Sequence, residues 1–210
     1  MACAVLAGAL IPSPAFADAQ PAEGMPLRDA VALLTVADEQ REGYDRDLFR
    51  HWIDADHDGC NTRTEVLLAE AVETPETTAR CTLTGGRWYS FYDDIEVDNP
   101  RSLDIDHMVP LAEAWDSGAF DWTPDRHQRY ANDLDEPATL VAVTARSNRG
   151  KADKDPAAWL PPHEPAVCRY ITDWVAVKTR WNLTVNPGEH AVLTARAEQC
   201  PNNPVTVEPA

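Results

Sequence analysis

The sequence predicts an α+β fold on three observations. Strand-like segments come in pairs set among helical ones, not in strict alternation with them. The chain has 210 residues with 44% apolar and 25% charged content, which suits one soluble domain with a real core. Four cysteines, Cys60, Cys81, Cys168 and Cys200, stand far apart after the first few residues and can staple such a domain.

The elements follow in order. Residues 1–17 hold the apolar run AVLAGALIP, too short to span a bilayer, closed by Ala15-Phe16-Ala17 as an A-x-A cleavage signal. The basic segment that usually opens such a signal is missing, so these residues read as part of a processed export signal, with the mature chain starting near Asp18. A buried N-terminal helix is the alternative. Residues 18–26 read as a leader, and apolar spacing predicts helices over 27–40, 47–53 and 64–72. The stretch CTLTGGRWYSFYDDIEV (81–97) is rich in β-branched and aromatic residues and predicts a hairpin turning at Gly85-Gly86. A strand follows in SLDIDHMVPL, stopped by Pro110. Short helices are predicted over 111–119 and 126–134, then the clearest strand, ATLVAVTA (138–145), and a polar turn or helix start at RSNRGKADKD. Helices over 170–181 and 189–199 close the chain, and Trp115, Trp122 and Trp159 read as core. One domain over 18–210 is the simplest organisation.

Composition narrows the setting. An even set of cysteines without a C-x-x-C pair, behind an export signal, reads as two disulfides and not as zinc ligands. Of the three connectivities, Cys60–Cys81 and Cys168–Cys200 are favoured because each closes a local loop, contributing roughly 3 kcal/mol apiece. The net charge is −17, from 35 acidic against 18 basic residues, and the first 17 residues carry none of it. That balance favours solubility and cations and disfavours broad coating of nucleic acid. It leaves room for an enzyme that must release its product. No apolar stretch after residue 17 is long enough to span a membrane, so no membrane partner is expected.

The strand SLDIDHMVPL places Asp104, Asp106 and His107 within four positions. Hydrolysis of a phosphodiester at neutral pH needs a base for the attacking water and a cation for the phosphate and leaving oxygen. Histidine suits the first because it titrates near working pH. Magnesium suits the second and prefers few protein oxygens. Asp106 can supply one oxygen beside the imidazole, and Asn148, just beyond ATLVAVTA, can supply an amide oxygen. Arg149 and Lys151 follow it as cations for phosphate. Bland readings stand beside these: His107 as a structural histidine, Asp106 as a turn residue, Asn148 as a helix N-cap.

DIDHMVPL, followed by LVAVTARSNRGKAD, resembles the HNH nuclease signature on a ββα-metal core. The likeness is strongest to the HNH domain of CRISPR RNA-guided nucleases, which carry a D-x-DH-x-VP strand and an NRGK-type helix start. AEAWDSGA, RYANDL and DPAAWLPP resemble exported actinobacterial HNH proteins of the GmrSD restriction-endonuclease C-terminal family. The core match covers about 100–162, and CNTRTEVL, GGRW and DWVAVKTRW extend it over most of the mature chain. The resemblance implies His107 as general base, with Asp106 and Asn148 as ligands of magnesium or manganese. The middle Asn of the HNH name falls at Thr139, a departure that puts the brace of the base-bearing loop in doubt; Asn132 is an alternative brace. Asp104 shares a strand face with Asp106 and reads as a supporting carboxylate or an extra ligand. Glu113 is a further supporting candidate, and Arg87 a weaker phosphate-binding one, each with an ordinary structural role as its alternative.

A second metal pattern lies at DADHDGCNTRTE (54–65). Asp54, Asp56 and Asp58 occupy positions 1, 3 and 5 of the EF-hand template, Gly59 position 6 and Glu65 position 12. The Cys60 carbonyl would complete the oxygens of a structural calcium site, and an acidic turn capping helix 64–72 is the alternative. The expectation is thus a secreted, metal-dependent HNH endonuclease cutting DNA, or RNA, with little sequence preference. Its rival is a non-enzymatic calcium-binding extracellular module with a relic HNH core. A toxin with an immunity-protein partner would share the first reading's chemistry.

Overall fold

The computed structural model describes residues 24–210, so the expected export signal at 1–17 lies outside the described residues. In chain order the elements are β1 (Met25–Pro26), α1 (Leu27–Leu33), α2 (Thr62–Ala69), β2 (Glu76–Thr77), β3 (Leu83–Thr84), β4 (Trp88–Ser90), β5 (Ile95–Val97) and β6 (Leu103–His107). They continue with α3 (Leu111–Asp116), α4 (Pro124–Ala131), β7 (Leu140–Thr144), α5 (Ala145–Lys151), α6 (Val167–Trp181), α7 (Pro187–Ala197) and β8 (Pro204–Val205). The strands form four antiparallel pairs: β1 with β8, β2 with β3, β4 with β5, and β6 with β7. This mixed arrangement of helices and small sheets agrees with the α+β expectation. Both disulfides join the favoured partners, Cys60 to Cys81 and Cys168 to Cys200.

The β6–β7 pair positions the chemistry. Its register sets Asp104 opposite Val143, Asp106 opposite Val141 and His107 opposite Leu140. Every residue of β7 is buried, with Val141 and Val143 in the large helical core beside Tyr170 and Trp174. Leu140 and Ala142 pack instead with Val66, Leu67, Trp88, Leu103 and Ile105 in a second, smaller core. Burial on both faces explains why this strand reads as an unbroken apolar run. Its outer edge is closed by side chains: Ala142 N–H donates to Glu70 Oε2 at 2.8 Å and Thr144 N–H to Ser90 Oγ at 3.0 Å. Thr144 then caps α5, its Oγ1 accepting from Ser147 N–H, so strand and helix join without a loop.

Three expectations need correction. The first helix stops at Leu33, because Thr35 and Ala37 exchange backbone hydrogen bonds with Val185 and draw the chain into extended form. Residues 47–53 are not a helix beyond a single 3-10 turn at Arg46–Leu48. There the Asn132 amide takes Arg50 C=O and Ile53 N–H, outcompeting the helical ladder, and Trp52 sits at φ 59°. Gly85-Gly86 is not the hairpin turn. The β4–β5 turn runs through Phe91–Asp94, and the glycines separate β3 from β4. Gly86 has φ 85°, and a Cβ there would meet the Trp88 ring at 2.8 Å and Pro75 at 2.9 Å.

Burial raises the Glu70 carboxyl to about 7 despite its bond from Ala142 N–H. The folded chain therefore holds this proton more tightly than the unfolded chain does. The stability so gained is complete below the ordinary carboxylate range and lost as pH rises through about 7. Glu70→Gln removes the titration and keeps an acceptor for Ala142. Between pH 4.5 and 8 the variant is expected to gain on the wild type by on the order of 2 kcal/mol in urea melts.

Candidate active site

His107 ends β6 with its imidazole near the rings of Trp52, at 5.6 Å and 31°, and Tyr130, at 6.2 Å and 24°. Its Nε2 lies 3.1 Å from Ala131 C=O. A carbonyl can only accept, so Nε2 carries the hydrogen and Nδ1 keeps a lone pair in the neutral ring. Burial lowers its pKa to about 3, helped by the charge of Arg46. A base must be unprotonated to work, and this environment secures that form.

Asp106, the neighbouring residue, is 4% exposed. Its Oδ2 accepts from Lys151 Nζ at 2.5 Å and from Tyr92 Oη at 2.6 Å. Both described bonds fall on one oxygen, leaving Oδ1 without a partner among the described residues. Burial pushes the carboxyl up, countered by Lys151 and Tyr92, and pushes the Lys151 amine down, countered by Asp106. Lys151 Nζ also donates to His107 C=O at 2.8 Å, so one ammonium fastens the end of β6 to α5.

Asn148 lies one helical turn before Lys151. Its Nδ2 donates to Asp104 Oδ2 at 3.4 Å, and Arg149 Nε approaches the same oxygen at 3.4 Å. With the amide nitrogen so engaged, the Asn148 Oδ1 is the atom left to act as a ligand. Asp106, His107, Asn148 and Arg149 share one open cleft of about 460 Å³, which Tyr44 and Arg46 also line. Two hard oxygens beside a neutral imidazole are a donor set suited to magnesium or manganese.

Other sequence candidates lie elsewhere. Lys151 is fully buried and tied to Asp106, so it has no surface to offer a phosphate. Arg87 is held by Glu73 at 2.7 Å and Glu96 at 2.8 Å, outside the cleft. Glu113 points into the core, accepting from Lys178 at 2.8 Å and Ser117 at 2.9 Å. Asn148 is not a helix cap, since Thr144 fills that place. Thr139 C=O accepts from Met108 N–H at 2.9 Å, bracing the residue after the histidine through the backbone. Its hydroxyl turns to Asp133 at 3.0 Å. Asn132 braces the segment carrying Trp52 instead. Sequence reasoning missed Tyr92, Trp52, Tyr44 and Arg46, which come from distant segments with no motif to flag them.

In the calcium-like loop, carboxylate oxygens of Asp54, Asp56 and Asp58 lie within 4.8 Å of one another. Burial and these three charges raise the Glu65 carboxyl. Asn61, and none of the aspartates, caps α2. The larger cleft, about 830 Å³, lies between α4, α6 and the C-terminal tail and lacks the histidine-carboxylate pair. Its Arg180 guanidinium is spent on Asp133 at 2.8 Å.

In this disulfide-linked α+β chain a histidine and a carboxylate end β6, and an amide on the helix after its partner strand β7 lines the same cleft. The family model for the C-terminal domain of GmrSD restriction endonucleases matches residues 60–195, and the chain belongs to that family. An "Uncharacterized secreted protein" of Arthroderma benhamiae is 39% identical over 160 residues, covering 76% of this chain and 77% of its own. No solved structure matches. Membership of this family points to a nuclease-like function, and no helix among the described residues is long and apolar enough to cross a membrane.

The Asp106–Lys151 pair yields a stability prediction. Lys151→Met strands a buried carboxylate and is expected to cost roughly 3–5 kcal/mol in denaturant unfolding. Adding Asp106→Leu to that variant is expected to recover most of the loss, because an apolar pair leaves no charge uncompensated.

Proposed function

We propose that this chain is an exported, metal-dependent endonuclease of HNH type that hydrolyses phosphodiester bonds in DNA. The observation that carries the reading is the shared cleft of His107, Asp106 and Asn148, with Nδ1 of the histidine unprotonated beside two uncommitted oxygens. Magnesium or manganese, held by Asp106 and Asn148, would neutralise charge on the phosphate and leaving oxygen. His107 Nδ1 takes the proton from the attacking water, and the Nε2 bond to Ala131 C=O keeps that nitrogen in the donor tautomer. Lys151 and Tyr92 fix the Asp106 carboxylate, and Asp104 orients the Asn148 amide. The ββα reading rests on β6, β7 and α5 following the order of the HNH motif.

Plasmid relaxation by mature protein tests this. Cutting is expected with magnesium or manganese, to stop with chelator, and to fall by at least about a hundredfold in His107→Ala. An alanine variant that cuts at the wild-type rate removes His107 as the base. RNA in the same panel decides the breadth of substrate.

We also propose that Asp54, Asp56, Asp58, Glu65 and the Cys60 carbonyl hold a structural calcium ion. What favours it is Asp54 Oδ1, buried without a hydrogen-bond partner among the described residues inside that carboxylate cluster. Calcium at 100 times its Kd is expected to add roughly 2.7 kcal/mol to stability. Asp58→Asn is expected to abolish most of that gain; an unchanged calcium response in the variant would place the ion elsewhere.

A further inference from the structure

The phosphate-binding role expected of Lys151 is left without an owner once that amine is buried. Among the cations near the cleft, Arg41 is tied to Asp116 and Asp153, and Arg149 leans on Asp104. Arg46 is different. It is exposed, lines the cleft with Asp106 and His107, and takes part in none of the ion pairs among the described residues. In a chain with 35 acidic and 18 basic residues, this leaves a guanidinium beside the proposed base with no carboxylate among the described residues to neutralise it. Its 3-10 turn is firmly set: Asp45 caps it through Asp47 N–H at 2.9 Å, and Phe49 anchors its end, fully buried in the large core.

We propose that Arg46 is a substrate-binding residue: its guanidinium grips a phosphate of the nucleic acid in the cleft that it shares with Arg149. The inference rests on the nuclease reading above and adds to it the residue that seats the substrate. Arg46 comes from a segment well before the strand that carries the histidine, and it lines the same cleft as Asn148 and Arg149. Two arginines in one cleft with the histidine and carboxylate hold a polyanion against a surface that otherwise repels it. A guanidinium presents paired donors to phosphate oxygens, which a lysine amine cannot match.

The test uses two readouts on the whole mature chain. Binding of a fluorescent DNA oligonucleotide is measured by anisotropy from 50 to 200 mM salt in a His107→Ala background, and cleavage is measured in the wild-type background. Arg46→Ala is expected to weaken binding roughly ten- to hundredfold, with about one unit less salt slope. Its cleavage is expected to lose kcat/KM mainly through KM, with Arg46→Lys recovering part. Arg80→Ala removes the same charge from an exposed site outside the cleft and is expected to leave both unchanged. Thermal melts confirm that each variant is folded. Cleavage and binding unaltered by Arg46→Ala overturn the Arg46 assignment while the nuclease reading stands. A wild-type chain that neither cuts nor binds overturns both.

Discussion

The contact between the Asp106 carboxylate and the Lys151 ammonium ties the end of β6 to the end of α5, and the rest of the site is arranged around it. Both groups are out of water, so each is tolerable only because the other is there. One ammonium bridges a side-chain oxygen and the His107 carbonyl, which sets where the strand ends relative to the helix. The same helix face brings Asn148 to Asp104 one turn earlier. Tyr92, delivered by the β4–β5 turn, takes the remaining direction of the same carboxylate oxygen. A buried ion pair is a poor source of net stability, but it specifies geometry, since any shift along the strand would strand both charges. The metal-ligand role proposed for Asp106 needs that kind of fixed placement.

The parts of this arrangement that were legible in the sequence are the local ones. β6, β7 and the start of α5 follow from apolar runs, Pro110 and the polar stretch after ATLVAVTA, and the local cysteine pairing followed from loop size. That Asp106, His107 and Asn148 come together in one cleft was legible because a short motif carries them. The misreadings share one cause, which is tertiary competition for backbone groups. Residues 47–53 have helical spacing, yet the Asn132 amide captures two of their backbone groups. The helix begun at Leu27 is cut short because Val185 offers strand-like partners. Lys151 was misjudged for a related reason: position on a helix tells which residues are neighbours, but not that a carboxylate buried on β6 would claim the amine.

Thr139, where the resemblance to the HNH signature would set an asparagine, works chiefly through its backbone. A side-chain amide at that position would brace the loop with its own donors and acceptors. Here Thr139 contributes its backbone carbonyl to Met108 N–H, while its hydroxyl serves Asp133, which in turn anchors Arg180 and Trp181. The histidine ring is held separately, by Ala131 C=O at Nε2 and by the neighbouring rings of Trp52 and Tyr130. Asn132 keeps one of those aromatics in place by clamping the strained backbone around Trp52. The residue after the histidine is thus held by a backbone bond, and the neighbouring tryptophan segment by an asparagine.

Charge gives the site its character. A surface with a net charge of −17 repels a polyanion at long range, so encounter cannot rely on a broad basic face. Attraction has to be local, over distances comparable with the screening length of about 8 Å at physiological salt. Within that range the cleft offers Arg46 and Arg149, against the acidic groups Asp104 and Asp153 near its walls. On the proposed nuclease reading, a divalent cation would add the charge needed to make that balance favourable. Binding through a few cations and an ion would be weak enough for the product to leave, and the product of phosphodiester hydrolysis carries one more negative charge than the substrate. The acidity that first argues against a nucleic-acid partner would then work in favour of turnover.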